Sequence, residues 1–140
     1  MRRRRRTTIL VNGDPNLAGR LAGTIRQNHD CQEIIAPHYG MTMIKTRESA
    51  RKSLFYLGEV LVTEAKVEIN DCVGIGIVNG MQDQLAKDLA VIDAAYQANL
   101  NETVEWNDVL LAEERDITRK RAELQSELMN TKVNFETMTE

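Results

Sequence analysis

The chain has 140 residues, 42% hydrophobic and 28% charged, with a formal net charge of −3. That length is ordinarily one domain with room for a buried core, and an aromatic content of 4% makes the core aliphatic. There is no run of about 18 apolar residues to span a membrane, and the short apolar stretch at residues 9–11 behind the first arginines does not make a secretory signal.

Charge is unevenly placed. Residues 1–52 carry 11 Lys and Arg against 4 Asp and Glu, a balance of +7, whereas residues 53–140 carry 7 against 17, a balance of −10. Such asymmetry favours charged partners over a bare monomer. The two cysteines, Cys31 and Cys72, lack metal-type spacing and are expected to be free thiols in a reducing cytoplasm.

Arg2, Arg3, Arg4, Arg5 and Arg6 open the chain. Dense guanidinium groups pair with phosphate bidentately, which suggests a free-standing nucleic-acid-binding protein. The same residues also suit the solvated first turn of a helix running on through residues 7–11, or docking on an acidic partner subunit. Five arginines without interleaved aromatics do not specify nucleic-acid reading. Gly13 ends this segment, and Asp14-Pro15 restarts the chain as N-cap and first helical residue. Leu17, Ala18, Leu21, Ala22 and Ile25 follow helical spacing, so residues 15–28 form an amphipathic helix. Gly19 and Gly23 weaken it by about 1 kcal/mol each relative to Ala, with close helix packing the expected return.

Residues 31–36 and 41–47 are two short runs joined by Pro37-His38-Tyr39-Gly40, a turn composition, and are expected to form a first hairpin. A second follows. Leu61, Thr63, Ala65, Val67 and Ile69 alternate with Val60, Val62, Glu64, Lys66 and Glu68, burying one face. Asn70-Asp71 supplies a two-residue turn, and residues 72–78 return with Val73, Ile75 and Ile77 alternating with Gly74, Gly76 and Val78.

Residues 81–140 contain neither Gly nor Pro. Leu85, Leu89, Ile92 and Tyr96 mark one helical stripe, with Asp83, Lys87 and Asp88 off it. Asn101-Glu102-Thr103 interrupts the pattern and offers a fresh N-cap. Trp106, Leu110, Ile117, Leu124 and Leu128 then mark a second long helix whose opposite face mixes Glu and Arg. Residues 131–140 read as a docking tail in which Val133, Phe135 and Met138 contact a partner. The fold class is therefore α+β over residues 1–140 as a single domain. N-terminal helices span 1–30, two hairpins giving an antiparallel sheet of about four strands span 31–80, and helices span 81–130.

Residues bearing chemistry are sparse. There is no Ser-His-Asp set, zinc spacing, dinucleotide fingerprint or P-loop lysine. His38 sits in a turn composition, and His29 at a helix end, where a cation is favoured. Glu64 and Glu68 lie on the polar face of their strand. Glu59, inside an apolar run, and Asp83 are the catalytic candidates, since a buried carboxylate needs a cation or donors.

Residues 55–65 (Phe-Tyr-Leu-Gly-Glu-Val-Leu-Val-Thr-Glu-Ala), Gly74, Gly76, Gly80, Gln82-Asp83, Ala86, Ala90, Asp93-Ala94 and the ending Thr-Lys-Val-Asn-Phe-Glu-Thr-Met at 131–138 together resemble PhnG, the G subunit of the bacterial carbon–phosphorus lyase core complex. Many relatives have Arg-Asp where Gln82-Asp83 stands and a second Phe where Glu136 stands. No role of that arginine or ring is carried over. The resemblance implies a cytoplasmic assembly with H-, I- and J-type subunits and an L-type ATP-binding-cassette protein. It implies a transferase step in which a phosphonate such as methylphosphonate displaces adenine from ATP. The product is α-D-ribose 1-methylphosphonate 5-triphosphate, and the complex uses ATP. Iron–sulfur radical chemistry belongs to the J subunit, and two cysteines do not suffice for a cluster. The resemblance thus assigns this chain no catalytic residue, metal or cofactor, and casts it as a non-catalytic subunit.

Overall fold

A computed structural model of the chain describes residues 1–132. In chain order the elements are α1 (Arg3–Asn12), α2 (Leu17–Asn28), β1 (Gln32–Arg47), β2 (Leu54–Ile69), β3 (Cys72–Asn79), α3 (Asp83–Gln97) and α4 (Glu102–Thr131). The α+β class is as expected. The sheet has three antiparallel strands, ordered β1-β2-β3, where about four were expected.

The missing hairpin has a simple cause. Residues 31–36 and 41–47 do not fold back on each other but join into the single 16-residue β1. Pro37 lacks an amide hydrogen, yet β1 is an edge strand with no partner on its outer side, and an edge tolerates proline. The ladder also shifts register between Ile35 and His38, so Pro37 falls in an irregularity. Gly40 stays in the extended ladder opposite Val62. The chain reverses instead at residues 48–53, where the Glu48 N–H donates to the Ser53 carbonyl at 2.9 Å.

The second hairpin forms as its sequence requires. Asn70 and Asp71 have φ of 49° and 63°, and positive φ at both central residues makes the type I′ turn that matches strand twist. Thr63, Ala65, Val67 and Ile69 are buried while Glu64, Lys66 and Glu68 are half-buried on the other face. On β3 the inward set is Gly74, Gly76 and Val78, because the register pairs them with Val67, Ala65 and Thr63. A Cβ on Gly74 would overlap the Ala90 carbonyl and the Ala94 nitrogen, and one on Gly76 would overlap the Ala86 carbonyl. Glycine on the strand and alanine at every fourth helical position let the α3 backbone lie directly on the sheet.

α3 is consequently buried on more than the predicted stripe. Ala86, Ala90 and Ala94 face the sheet, and Leu89, Val91, Ile92 and Ala95 are also buried. α2 packs on it through Leu17, Ala18, Leu21, Ala22 and Ile25. α2 begins two residues later than expected: the Asp14 carboxylate accepts from the Asn16 N–H at 2.9 Å, leaving Asp14-Pro15 in the turn before the helix. Gly23 faces open space and Gly19 only the Asp88 carboxylate, so neither brings another helix close.

α3 ends with Asn99 at φ 52°, with N–H groups of Asn99 and Leu100 donating to the carbonyls of Tyr96 and Ala95. This pair of bonds is a Schellman motif. α4 packs through Trp106 and Leu110, after which Leu124 and Leu128 are exposed, contrary to the single stripe expected along its length.

Candidate functional site

The five arginines do not share one environment. Arg6 is 5% exposed and its Nη2 donates to Asp93 Oδ1 at 2.8 Å. Arg3 Nε lies 3.2 Å from the same oxygen and its Nη2 donates to the Ile75 carbonyl at 3.0 Å. Asp93 Oδ2 accepts the Ile75 N–H at 3.1 Å, so one buried carboxylate ties α1 and α3 to the edge of β3. The Arg6 guanidinium also lies 3.8 Å over the Tyr96 ring, a cation–π contact. Arg5 donates through Nε to Glu114 of α4 at 2.8 Å.

The electrostatics follow from this geometry. Burial pulls the Arg6 guanidinium below its ordinary range, and the Asp93 charge opposes that pull. The hydrogen bond from Arg5 holds the Glu114 carboxyl below the usual glutamate range. A segment tracking nucleic-acid phosphates needs guanidinium groups in solvent. Arg6 is buried, and Arg3 and Arg5, though half exposed, sit on carboxylates of their own chain. Arg2 and Arg4 make no ion pair among the described residues.

Between α1 and β3 runs a groove of about 820 Å³. Arg3, Arg4, Thr8 and Asn12 line its helical side, and Ile77 and Asn79 its strand side. β3 is the other edge of the sheet, so the groove combines polar side-chain donors with an open strand edge.

Asp83 is the first residue of α3, exposed, and accepts the Tyr39 hydroxyl proton at 2.7 Å. That bond raises the Tyr39 pKa and clasps β1 to the start of α3. Beside it, the Gly80 N–H donates to the Leu61 carbonyl at 2.8 Å, and Thr63 Oγ1 accepts the Gln82 N–H at 3.1 Å. Gly80 has φ 77°, which makes glycine the suitable residue at this strand-to-helix corner. Glu59 is exposed on β2, opposite Met43. The two candidate acids are thus not brought together.

His29 Nε2 lies 2.8 Å from Glu102 Oε1 and joins the end of α2 to the start of α4. Glu102 is held below its ordinary range, first by its own backbone amide and then by His29. His38 extends from β1, 3.7 Å from Glu64. Burial raises the Cys31 thiol. No group of three or more His, Cys, Asp or Glu is placed to hold a metal ion among the described residues. Val133, Phe135 and Met138 lie outside the described residues.

Periodicity alone missed two acids. Asp88 is buried beneath Arg26, whose Nη2 lies 2.7 Å away, and Asp93 is buried beneath Arg6. Asp88 was placed only off the helical stripe, and Asp93 only among the residues of the family resemblance. The signal that could have found them was the arginine surplus of the first 52 residues, which needs carboxylates somewhere.

The strands β1 and β2 continue past the end of β3 as a two-stranded arm, residues 41–47 against 54–61. Its side chains Met41, Met43, Leu54, Phe55, Tyr56 and Leu57 are exposed. Among the described residues no helix is long and apolar enough to cross a membrane. Residues 1–140 match the family described as "Phosphonate metabolism protein PhnG". The match spans the entire chain, and the chain belongs to the PhnG family of phosphonate metabolism proteins.

Proposed function

We propose that this chain is a cytoplasmic subunit of a carbon–phosphorus lyase core complex, assembled with H-, I- and J-type subunits and an L-type ATP-binding-cassette protein. In the synthase step served by that complex, a phosphonate oxygen attacks C1′ of ATP and adenine leaves. α-D-Ribose 1-methylphosphonate 5-triphosphate is the product when the phosphonate is methylphosphonate. The observation that carries this reading is the whole-chain match to a phosphonate metabolism family. ATP is a substrate of the complex, and this chain contributes assembly rather than the chemical step. The site geometry supports that division: Glu59 is solvent-facing and Asp83 holds Tyr39, rather than the two forming an acid–base pair.

The experiment is co-expression of the assembly with and without this chain, followed by adenine release from ATP and methylphosphonate. Adenine release should disappear without the chain and survive Glu59→Gln and Asp83→Asn in the intact assembly. Undiminished release by an assembly lacking the chain would overturn the proposal.

A further inference from the structure

β3 is too short to cover β2. It ends at Asn79, opposite Val62, and the chain turns away at Gly80 into α3. Residues 54–61 of β2 pair with β1 on one side and, among the described residues, with no strand on the other. Leu54, Phe55, Tyr56 and Leu57 are consecutive and all exposed, Leu57 to 62%. Consecutive strand residues point to opposite faces, so both faces here are apolar. An open edge flanked by apolar side chains is where a further strand adds.

The ladder dictates which backbone groups face this gap. The Ile75 N–H and carbonyl are taken by Asp93 and Arg3, so they point away from β2, and those of Gly74, Gly76 and Val78 point towards it. The β2 partners of these three are Val67, Ala65 and Thr63. By alternation Leu61, Glu59, Leu57 and Phe55 aim their backbone groups to the same side. Leu61 shows the sense directly, because its carbonyl accepts the Gly80 N–H. A strand filling the gap therefore bonds Glu59, Leu57 and Phe55. It is bounded by the Asn79-Gly80 corner at one end and by Ser53, whose carbonyl holds the Glu48 N–H, at the other.

We propose that the gap is filled by the same segment of a second copy of this chain, antiparallel about a two-fold axis at Leu57. Leu57 then pairs with its own copy, and in both directions Phe55 pairs with Glu59, Tyr56 with Gly58 and Leu54 with Val60. An axis normal to the sheet pairs only residues of one face, so the alternative registers are few. The next one in one direction sets Phe55 on Leu61, whose carbonyl is taken, and Leu54 on Val62, which Asn79 holds. The next one in the other direction sets Glu59 on Ser53, whose carbonyl is taken. The segment is thus complementary to itself, as an isologous contact requires. Gly58 adds to this. A Cβ there would meet nothing within 4 Å, and the Tyr56 ring of the second copy covers that open space. Glycine inside a strand often marks such a close approach.

Charge agrees with a second copy. The tip of the arm, residues 45–52, carries Lys45, Arg47, Arg51 and Lys52 against Glu48, a balance of +3. The two tips lie at opposite ends of the pair, about 40 Å apart at ~3.3 Å per residue, and screening acts over about 8 Å. Each tip reaches the level of Thr63 on the other copy. Asp83 is exposed at that level, held by Tyr39, the β1 partner of Thr63. This inference goes beyond the synthase reading and does not depend on it.

The test places Leu57→Cys in a Cys31→Ser/Cys72→Ser background and oxidises the full chain, alone and in the co-expressed assembly. Leu57 faces its own copy at about 5.5 Å between Cα atoms, within disulfide reach. Only two copies can join that thiol to itself, so a covalent dimer is expected. Met43→Cys, at the level of Glu59 but on the outer strand, should give none. Phe55→Cys and Glu59→Cys chains should join each other when mixed, and neither should join itself. Gly58→Val fills space that is open in the single chain, so it should keep the wild-type circular dichroism spectrum while weakening the dimer at least tenfold in sedimentation. No covalent dimer from Leu57→Cys in either preparation would overturn the proposal. So would p-benzoylphenylalanine at Tyr56 crosslinking to a different subunit, or to residues 133–140 of its own chain, in place of the Gly58 peptide of a second copy. Loss of adenine release with the dimer intact would count against the synthase reading alone.

Discussion

Asp93 concentrates more of the architecture than any other side chain described. It receives Arg6, Arg3 and a β3 amide while only 4% exposed. Removing one partner of a buried pair leaves an uncompensated charge. Arg6→Ala should therefore cost about 3 kcal/mol, the low end for such pairs because Arg3 and the Ile75 amide remain. Arg5→Ala, at a surface pair, should change the unfolding midpoint little, and equal losses in chemical denaturation would refute the distinction. The Tyr96 hydroxyl is buried without a hydrogen-bond partner. Tyr96→Phe should then be neutral or stabilising by about 1 kcal/mol, with the ring still under Arg6. Acid sensitivity follows from Glu102 and Glu114, both held below the ordinary glutamate value of 4.5. A carboxyl depressed by folding stabilises above its unfolded value, and that contribution is lost as pH falls through the folded one. Thermal stability should hold from pH 7 to about 5 and fall at lower pH, with a shallower fall in Glu114→Gln.

At the scale of elements, the decisive contact is α3 on β3. Gly76→Ala pushes a methyl group into the Ala86 carbonyl, and backbone cannot rotate aside as a long side chain can. Loss of about 3 kcal/mol or more, or insoluble expression, is expected by denaturation. Melting unchanged within error would show that α3 stands further from the sheet. The glycines were visible in the sequence, but which set of β3 faced the helix was not. A strand alternating branched and glycine residues ordinarily turns the branched ones inward, and only its register with β2 reverses that here. The first hairpin was misread for a related reason. Pro37 and Gly40 carry turn propensity, yet an unpaired outer edge removes the penalty that proline meets inside a sheet.

Over the whole molecule, the +7 and −10 halves read from sequence pair in part with each other. α1 and α2 arginines sit on Asp88, Asp93 and Glu114. What stays uncovered is geometric: a two-stranded arm and the far half of α4, both exposing apolar side chains. The amino-acid sequence by itself determined the α+β class, the Asn70-Asp71 hairpin, the inward face of β2 and membership of the PhnG family. These depend on local period, turn chemistry and residue identities, which need no knowledge of distant partners. Only the tertiary structure decided that β1 runs unbroken, that Asp88 and Asp93 are interior, and that residues 41–61 outrun the third strand. Each of those depends on which segment lies beside which, and a carboxylate's burial or a strand's free edge exists only once the neighbour is in place.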